Sequence, residues 1–444
     1  MFRKGLFIFA HQIGDPRFNS TYKKLVKNQW KSYPELKADQ DSQLRTMIEY
    51  AYTNVPYYHR VFRELNIKPD DIKGISDLER LPILTKEIIK QNWDEFIPLN
   101  INKTRYYSQA TGGSTGTPLK YRLDKFDRFL GGALMYRGWG YGGYKLGDKM
   151  VFLAGLSLNV GTKAHEISRN IKKLSSYDMG EEDMRSYVKI INLLNPRFIR
   201  GQAYSIYFFS KWIKDNDLSI QNPLSVFTTA EMLYPHMREM IEDVFNCKVY
   251  DGYGLNDGGI SAYECPEHSG LHIDTERSVM EVVNQDGHQM NDGEGQILAT
   301  SLHNYAMPFI RYDTGDLGHI ISENCNCGRG YRLLKRVTGR QLEMLMTPEG
   351  KYIHGFFFNH ILKEINGVKE FQVLQKTLNK IVIKIVPEDD FDDKLLDQIN
   401  KQLVPIRELI GRKSEAWEVE FKIVEKIERT RGGKFRYVIN EMKK

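Results

Sequence analysis

From Val151 to Tyr250 the chain repeats one pattern, in which short apolar runs alternate with longer stretches whose apolar residues recur at helical spacing. Pro196-Arg197-Phe198-Ile199-Arg200-Gly201, Ser225-Val226-Phe227-Thr228-Thr229 and Lys248-Val249-Tyr250 read as strands. Ser186 to Leu194 and Pro235 to Phe245 read as helices. Strand, helix, strand in that rhythm argues for parallel α/β units.

On either side the texture changes. Gln43 to Ala51 places apolar side chains at helical spacing, and Asn54-Val55-Pro56 ends that pattern because proline disfavours helix in the residue before it. After about Gly270 the chain turns to β, with Val279 to Val283 and Gly295 to Thr300 set between Gly/Asn/Asp turns. The final hundred residues resemble a separate small α/β unit. Its strands are expected at Phe371 to Gln375, Lys380 to Val386 and Trp417 to Val424, with a helix from Asp392 to Gln402. The expected fold class is therefore α/β. A large N-terminal domain over 1–339 would hold a helical start, parallel α/β units and a β-rich subdomain, and a small C-terminal domain would occupy 340–444.

A length of 444 residues fits two or three domains. The net charge of +6 is a small difference between 63 basic and 57 acidic residues, and basic residues cluster only in pairs and triplets. That leaves no electrostatic footprint for nucleic acid, while a modest excess suits an anionic small substrate. No run approaches the ~20 apolar residues of a transmembrane helix. The apolar run near Met1 stops at His11-Gln12, so it reads as mature sequence rather than a signal peptide. Four cysteines in this length do not make a disulfide scaffold, and the expected location is cytoplasmic.

Four stretches carry candidate chemistry. Thr111, Gly112, Gly113, Ser114, Thr115, Gly116 and Thr117 would let backbone N–H groups and hydroxyls converge on a phosphate, without the lysine of a Walker loop. Asp251, Gly252, Tyr253 and Gly254, followed by Asn256-Asp257, set an aromatic between two glycines, where it can lie against a purine, with an acid beyond it for a metal. Arg311-Tyr312-Asp313-Thr314-Gly315-Asp316-Leu317 reads as a turn whose carboxylates suit ribose hydroxyls. Thr430-Arg431-Gly432-Gly433-Lys434 sets a lysine on a glycine-hinged loop. Each alone also reads as an ordinary turn.

In this order the four resemble the adenylate-forming superfamily, within it the phenylacetate–CoA ligase branch, and most closely that branch's capsular-polysaccharide-biosynthesis relatives. Tyr50 to Tyr58 and Leu81 to Lys86 are similar to the branch's N-terminal helices, and Phe227 to Leu233 to its adenine-side loop. The resemblance implies that Thr111 to Thr117 wrap the β- and γ-phosphates of ATP. Ala230, Glu231, Asp251, Gly252 and Tyr253 would bracket adenine, Asp316 would hold the ribose, and Asp257 would bind magnesium. Arg340 would reach ribose or phosphate beside the interdomain hinge, and Lys434 would bridge the substrate carboxylate and the α-phosphate. The small C-terminal domain would be a mobile lid. The chain departs from the family in Asn256-Asp257, where Thr/Ser-Glu is usual, and only Glu343 is acidic near the expected hinge.

The implied reaction is ATP-dependent activation of a carboxylic acid to an acyl adenylate, then transfer to coenzyme A or another acceptor nucleophile, with a role in polysaccharide biosynthesis. The alternative is a non-catalytic or transfer-only binding protein on the same fold that serves polysaccharide assembly. A further cluster stands apart. Cys265, His272, Cys325 and Cys327 match a closed structural zinc site, with His268 a competing fourth ligand and Cys247 outside it.

Overall fold

Proline, caps and hydrophobic spacing place the helices of the N-terminal region. The helix signalled by Gln43 to Ala51 is α3 (Tyr33–Asn54), after α1 (Phe2–Gly14) and α2 (Phe18–Asn28). Ser32 and Glu35 cap its start, Val55 turns extended at its end, and Pro56 opens α4 (Pro56–Glu64). The computed structural model describes residues 2–111, 119–154, 162–176, 179–340, 344–346, 352–354, 358, 367–388, 395–397, 399, 418–429 and 436–442.

Beyond α5 (Lys86–Gln91), β1 (Tyr106–Ala110) and β2 (Lys120–Asp124) form an antiparallel pair ahead of α6 (Lys125–Tyr141). The α/β units follow as β3 (Met150–Ala154), α7 (Thr162–Arg169), β4 (Ile171–Ser175), α8 (Glu181–Leu194), β5 (Phe198–Gln202), α9 (Ala203–Asp215), β6 (Ser225–Thr229), α10 (Pro235–Phe245) and β7 (Lys248–Gly254). The antiparallel stretch comprises β8 (Ser261–Glu264), β9 (Leu271–Ile273), β10 (Ser278–Val283), β11 (Gly293–Ser301), β12 (Tyr312–Ile321) and β13 (Leu333–Arg340).

One sheet of eleven strands holds both stretches, in the order β10-β11-β12-β13-β9-β8-β7-β6-β5-β3-β4. From β4 to β7 every neighbour is parallel, as the alternating pattern predicts. The sheet grows outward from β3 to β4, and β5 then adds on β3's other side. Alternate strand residues feed two cores. Val151, Ile199, Val226 and Val249 pack with side chains of α8, α9 and α10, whereas Met150, Phe198 and Phe227 pack with side chains of α1, α2 and α6. Two covered faces explain why these strands read as continuous apolar runs. In the antiparallel half, Val279, Ile297 and Tyr312 join the side chains of α3 and α4 in a third core.

Two local expectations need correction. Tyr250 to Gly254 is not a loop after a strand but the last five residues of β7, which pairs parallel with β6 and antiparallel with β8. Asp313 to Asp316 is not a free turn but a bulge inside β12. Asp313 pairs with Leu298 and Leu317 with Gln296, so three residues oppose Ile297 alone.

The chain divides into two compact units, the first ending at Val337 and the second beginning at Thr338. The second contains β14 (Met344–Met346), β15 (Tyr352–His354), β16 (Val368–Thr377), β17 (Lys380–Pro387), β18 (Glu418–Ile423) and β19 (Val438–Asn440). The last four form a mixed sheet in the order β18-β17-β16-β19 over a core that includes Phe371, Ile383 and Val438. Among the described residues, no helix is long and apolar enough to cross a membrane.

Candidate active site and metal cluster

The parallel and antiparallel halves meet at β7, and a cavity of about 310 Å³ opens there between the sheet and α6. Asp251, Gly252, Tyr253 and Gly254 of β7 line it, with Thr228 and Thr229 from the end of β6 and Asn256 beyond β7. Carboxyl ends of parallel strands leave such a crevice because the crossover chain departs to the sheet's faces.

Tyr253 links the cavity to the β12 bulge by donating its hydroxyl to Asp316 Oδ2 at 2.8 Å. The bulge is held by its own side chains: Thr314 donates to the Ile297 carbonyl, Asp313 accepts from the Gly315 N–H, and Gly315 has φ of +75°. Arg311, by contrast, is structural. It bonds Glu281 and the carbonyls of Leu81 and Gly287, which ties the antiparallel half to the N-terminal region.

Asp251 accepts from the Thr228 hydroxyl at 2.7 Å, and its N–H donates to Glu264, which is paired with Arg238. Burial pushes the Asp251 carboxyl up to about 6. Asp257 accepts from the hydroxyl of the fully buried Tyr312 at 2.8 Å. Burial raises its pKa, and the Tyr312 bond and the charge of Lys86 oppose that shift. A carboxylate destabilised by burial gains from a cation, so Asp257 fits the magnesium role.

Other expected residues are more scattered. Thr111 is bonded to Leu119: its N–H donates to the Leu119 carbonyl and its hydroxyl accepts from the Leu119 N–H. Gly112, Gly113, Ser114, Thr115, Gly116 and Thr117 lie outside the described residues, as do Lys434 and Glu343. Arg340 is the last residue of β13. Ala230 and Glu231 do not line the cavity. Ala230 bends the chain after β6 with φ of +69°, and the Glu231 carboxylate accepts from the Tyr204 N–H at the start of α9. One feature of the site gave no signal in the sequence: Arg277 crosses to Asp127 of α6 at 2.8 Å and reaches Asn256, fixing the segment after β7.

The cysteine–histidine cluster comes together. Ligand atoms of Cys265, His272, Cys325 and Cys327 all lie within 4.8 Å of one another. Cys265 and Cys325 sulfurs are 3.6 Å apart, and the Cys327 sulfur is 3.3 Å from His272 Nε2. Sulfurs about 2.3 Å from one tetrahedral ion stand roughly 3.7 Å apart, so the donors fit zinc in kind and spacing. Burial holds the His272 pKa down at about 4, which keeps the imidazole neutral and able to ligate. His268 points elsewhere, 3.1 Å from a Glu264 oxygen. Cys247 is also apart, with burial pushing its thiol up to about 12.

Residues 345–441 match the CapK C-terminal domain family. The protein CapK of Staphylococcus aureus is 26% identical over 414 residues, covering 91% of this chain and 89% of CapK. A phenylacetate–coenzyme A ligase of Thermus thermophilus is 25% identical over 448 residues, with coverage of 91% and 96%. In fold, the chain is similar to a 2-hydroxyisobutyryl-CoA ligase solved in the postadenylation state with 2-HIB-AMP. The TM-score is 0.73 at 18% identity, covering 94% of this chain and 92% of that one. The chain is thus a homologue of CapK and of the phenylacetate–CoA ligases, and its fold is that of the adenylate-forming ligases.

Proposed function

We propose that the chain is an AMP-forming carboxylate ligase, which activates an acid with ATP and passes the acyl group to coenzyme A or another nucleophile. The observation that carries this reading is the Tyr253–Asp316 hydrogen bond at the cavity rim, joining an aromatic face to a carboxylate from residues 63 apart in sequence. A purine on Tyr253 would bring its ribose hydroxyls to Asp316. Kinship with the phenylacetate–CoA ligases supports the acid and the acceptor. The use of the product in polysaccharide assembly rests on kinship with CapK alone.

In this reading a carboxylate oxygen attacks the α-phosphorus of ATP. The bond from that phosphorus to its bridging oxygen breaks, and pyrophosphate departs with the electron pair. The acceptor then attacks the acyl carbon and AMP leaves. A carboxylate repels nucleophiles by its own charge, and the mixed anhydride removes that obstacle. The protein's work is positioning and charge neutralisation. Thr111 to Thr117 would cradle the outer phosphates, Asp251 and Gly252 would border adenine, and Arg340 would reach ribose or phosphate. Lys434, on a mobile C-terminal domain, would meet the charge developing at the α-phosphate. Magnesium held by Asp257 would supply positive charge when bound. Zinc held by Cys265, His272, Cys325 and Cys327 would be structural.

ATP–pyrophosphate exchange with a panel of carboxylic acids tests the reading. Exchange with one acid class is expected. AMP binding without exchange for any acid would leave a transfer-only binding protein instead.

A further inference from the structure

Among the described residues, Arg200 in the cavity has no hydrogen-bond or ion-pair partner. Arg200 lies in β5 and stands opposite Phe152 of β3 and Phe227 of β6, with Tyr250 of β7 next in register. A row of the sheet facing α6 thus reads Phe, Arg, Phe, Tyr. The guanidinium sits 4.6 Å from the ring centroids of both Phe152 and Trp139. Its Nε is closed off from solvent and has no hydrogen-bond partner. Burial lowers its pKa, and the groups nearest in charge are the phenols of Tyr263, Tyr136 and Tyr144 rather than carboxylates.

Three fully buried arginines of this unit are paired with carboxylates, whereas the half-buried Arg122, like Arg200, meets two aromatic rings and keeps one guanidinium nitrogen closed off and unbonded. Arg137 pairs with Asp274 and Glu276, Arg277 with Asp127, and Arg311 with Glu281. Arg200 is half-buried, so its charge is partly withdrawn from water, a cost that aromatic faces offset only in part. The cavity's own acids do not supply the anion, since Asp251 is bonded to Thr228 and Glu264 to Arg238. Room for an outside group exists on the α6 side. A Cβ built on Gly132 meets nothing within 4 Å, although glycine inside a helix is itself destabilising. Arg200 also neighbours β3, where the sheet's direction of growth reverses, and ligands of parallel α/β sheets gather at that crevice.

We propose that the acid taken by this cavity carries a second anionic group, which Arg200 holds while the first carboxylate is activated. The inference rests on acid activation at this site and names the substrate class: short dicarboxylates, or acids bearing a phosphonate at the far end. A planar guanidinium suits either group through paired N–H donors.

The test compares pyrophosphate exchange for a dicarboxylate, the matching phosphonocarboxylate and the matching monocarboxylate of equal length. The full-length protein is expected to favour an acid with a second anion, and the two dianionic arms tell carboxylate from phosphonate. In Arg200→Met the kcat/KM ratio of dianionic to monoanionic acid should fall at least tenfold, with the melting temperature unchanged or raised because an uncompensated charge has gone. Arg200→Lys, which keeps the charge but not the fork, should give an intermediate ratio and serves if the Met variant does not fold. A ratio unchanged in both variants, or a wild-type preference for the monocarboxylate, overturns the proposal and leaves acid activation standing. Calorimetry with the dicarboxylate separates the two readings. If no acid supports exchange, tenfold weaker binding to Arg200→Met sinks acid activation but keeps the anion subsite, and equal binding removes the subsite.

Discussion

The two halves of the eleven-stranded sheet solve the same burial problem differently. The parallel half, β4 to β7, is covered on both faces, and its stability comes from two apolar cores. The antiparallel half packs a third core against α3 and α4 and adds polar ties: the Arg311 hub, the β12 bulge and the Cys/His cluster joining the β8–β9 hairpin to the chain between β12 and β13. The difference suggests a division of labour. The parallel half offers the pocket with Arg200, the antiparallel half offers Asp316 and Asp257, and β7 belongs to both.

Loss of metal should separate the halves most. Structural zinc is worth roughly 10–16 kcal/mol in small peptides. Chelation is therefore expected to lower the melting temperature, with protection from hydrogen exchange lost first around β8, β9 and β13. Elemental analysis of protein purified without added metal should find one zinc per chain, and its absence would remove the site.

Next is a group belonging to neither half. Lys434→Ala should keep folding and ATP affinity yet lose adenylate formation by about 10²–10³, the cost of one preorganised donor at a developing charge. Transfer from a preformed acyl adenylate should suffer much less. Arg431→Ala and Arg436→Ala serve as milder controls. Equal damage to both half-reactions would make Lys434 a solvated surface charge.

Asp316→Ala probes the antiparallel half alone. Losing a hydrogen bond to a charged group costs about 1.5–3 kcal/mol, so AMP affinity should fall roughly ten- to a hundredfold. Selection among acids should not change. Calorimetry that gives unaltered AMP binding would take Asp316 out of the site and blur the division.

The smallest effect concerns Asp251, on the shared strand. Its folded pKa is raised from 3.8 to about 6, so the folded state holds more protons than the unfolded chain between those values. Its contribution to stability is present in full below about pH 4 and declines as pH rises through 6. Asp251→Asn should flatten the pH 4–6 dependence of the melting temperature relative to wild type. An identical slope in both would show that Asp251 does not titrate there.

Local sequence determined the elements and much of their order. β6 and α10 coincide with the apolar run at Ser225 to Thr229 and the helical spacing at Pro235 to Phe245, because hydrophobic periodicity reports which side of an element is buried. The motifs near Tyr253, Asp316 and the cysteines were visible for a similar reason, since glycine, acid and thiol chemistry shows in a short window. Tertiary structure decided what touches what. Folding chose His272 over His268, joined Tyr253 to Asp316, inserted a bulge where a turn was expected, and paired Arg277 with Asp127 across 150 positions. Arg200 shows the limit most clearly. Its place in a buried strand was legible, but that no carboxylate among the described residues pairs with it emerged only when four strands and α6 were assembled, because pairing a charge depends on neighbours far away along the chain.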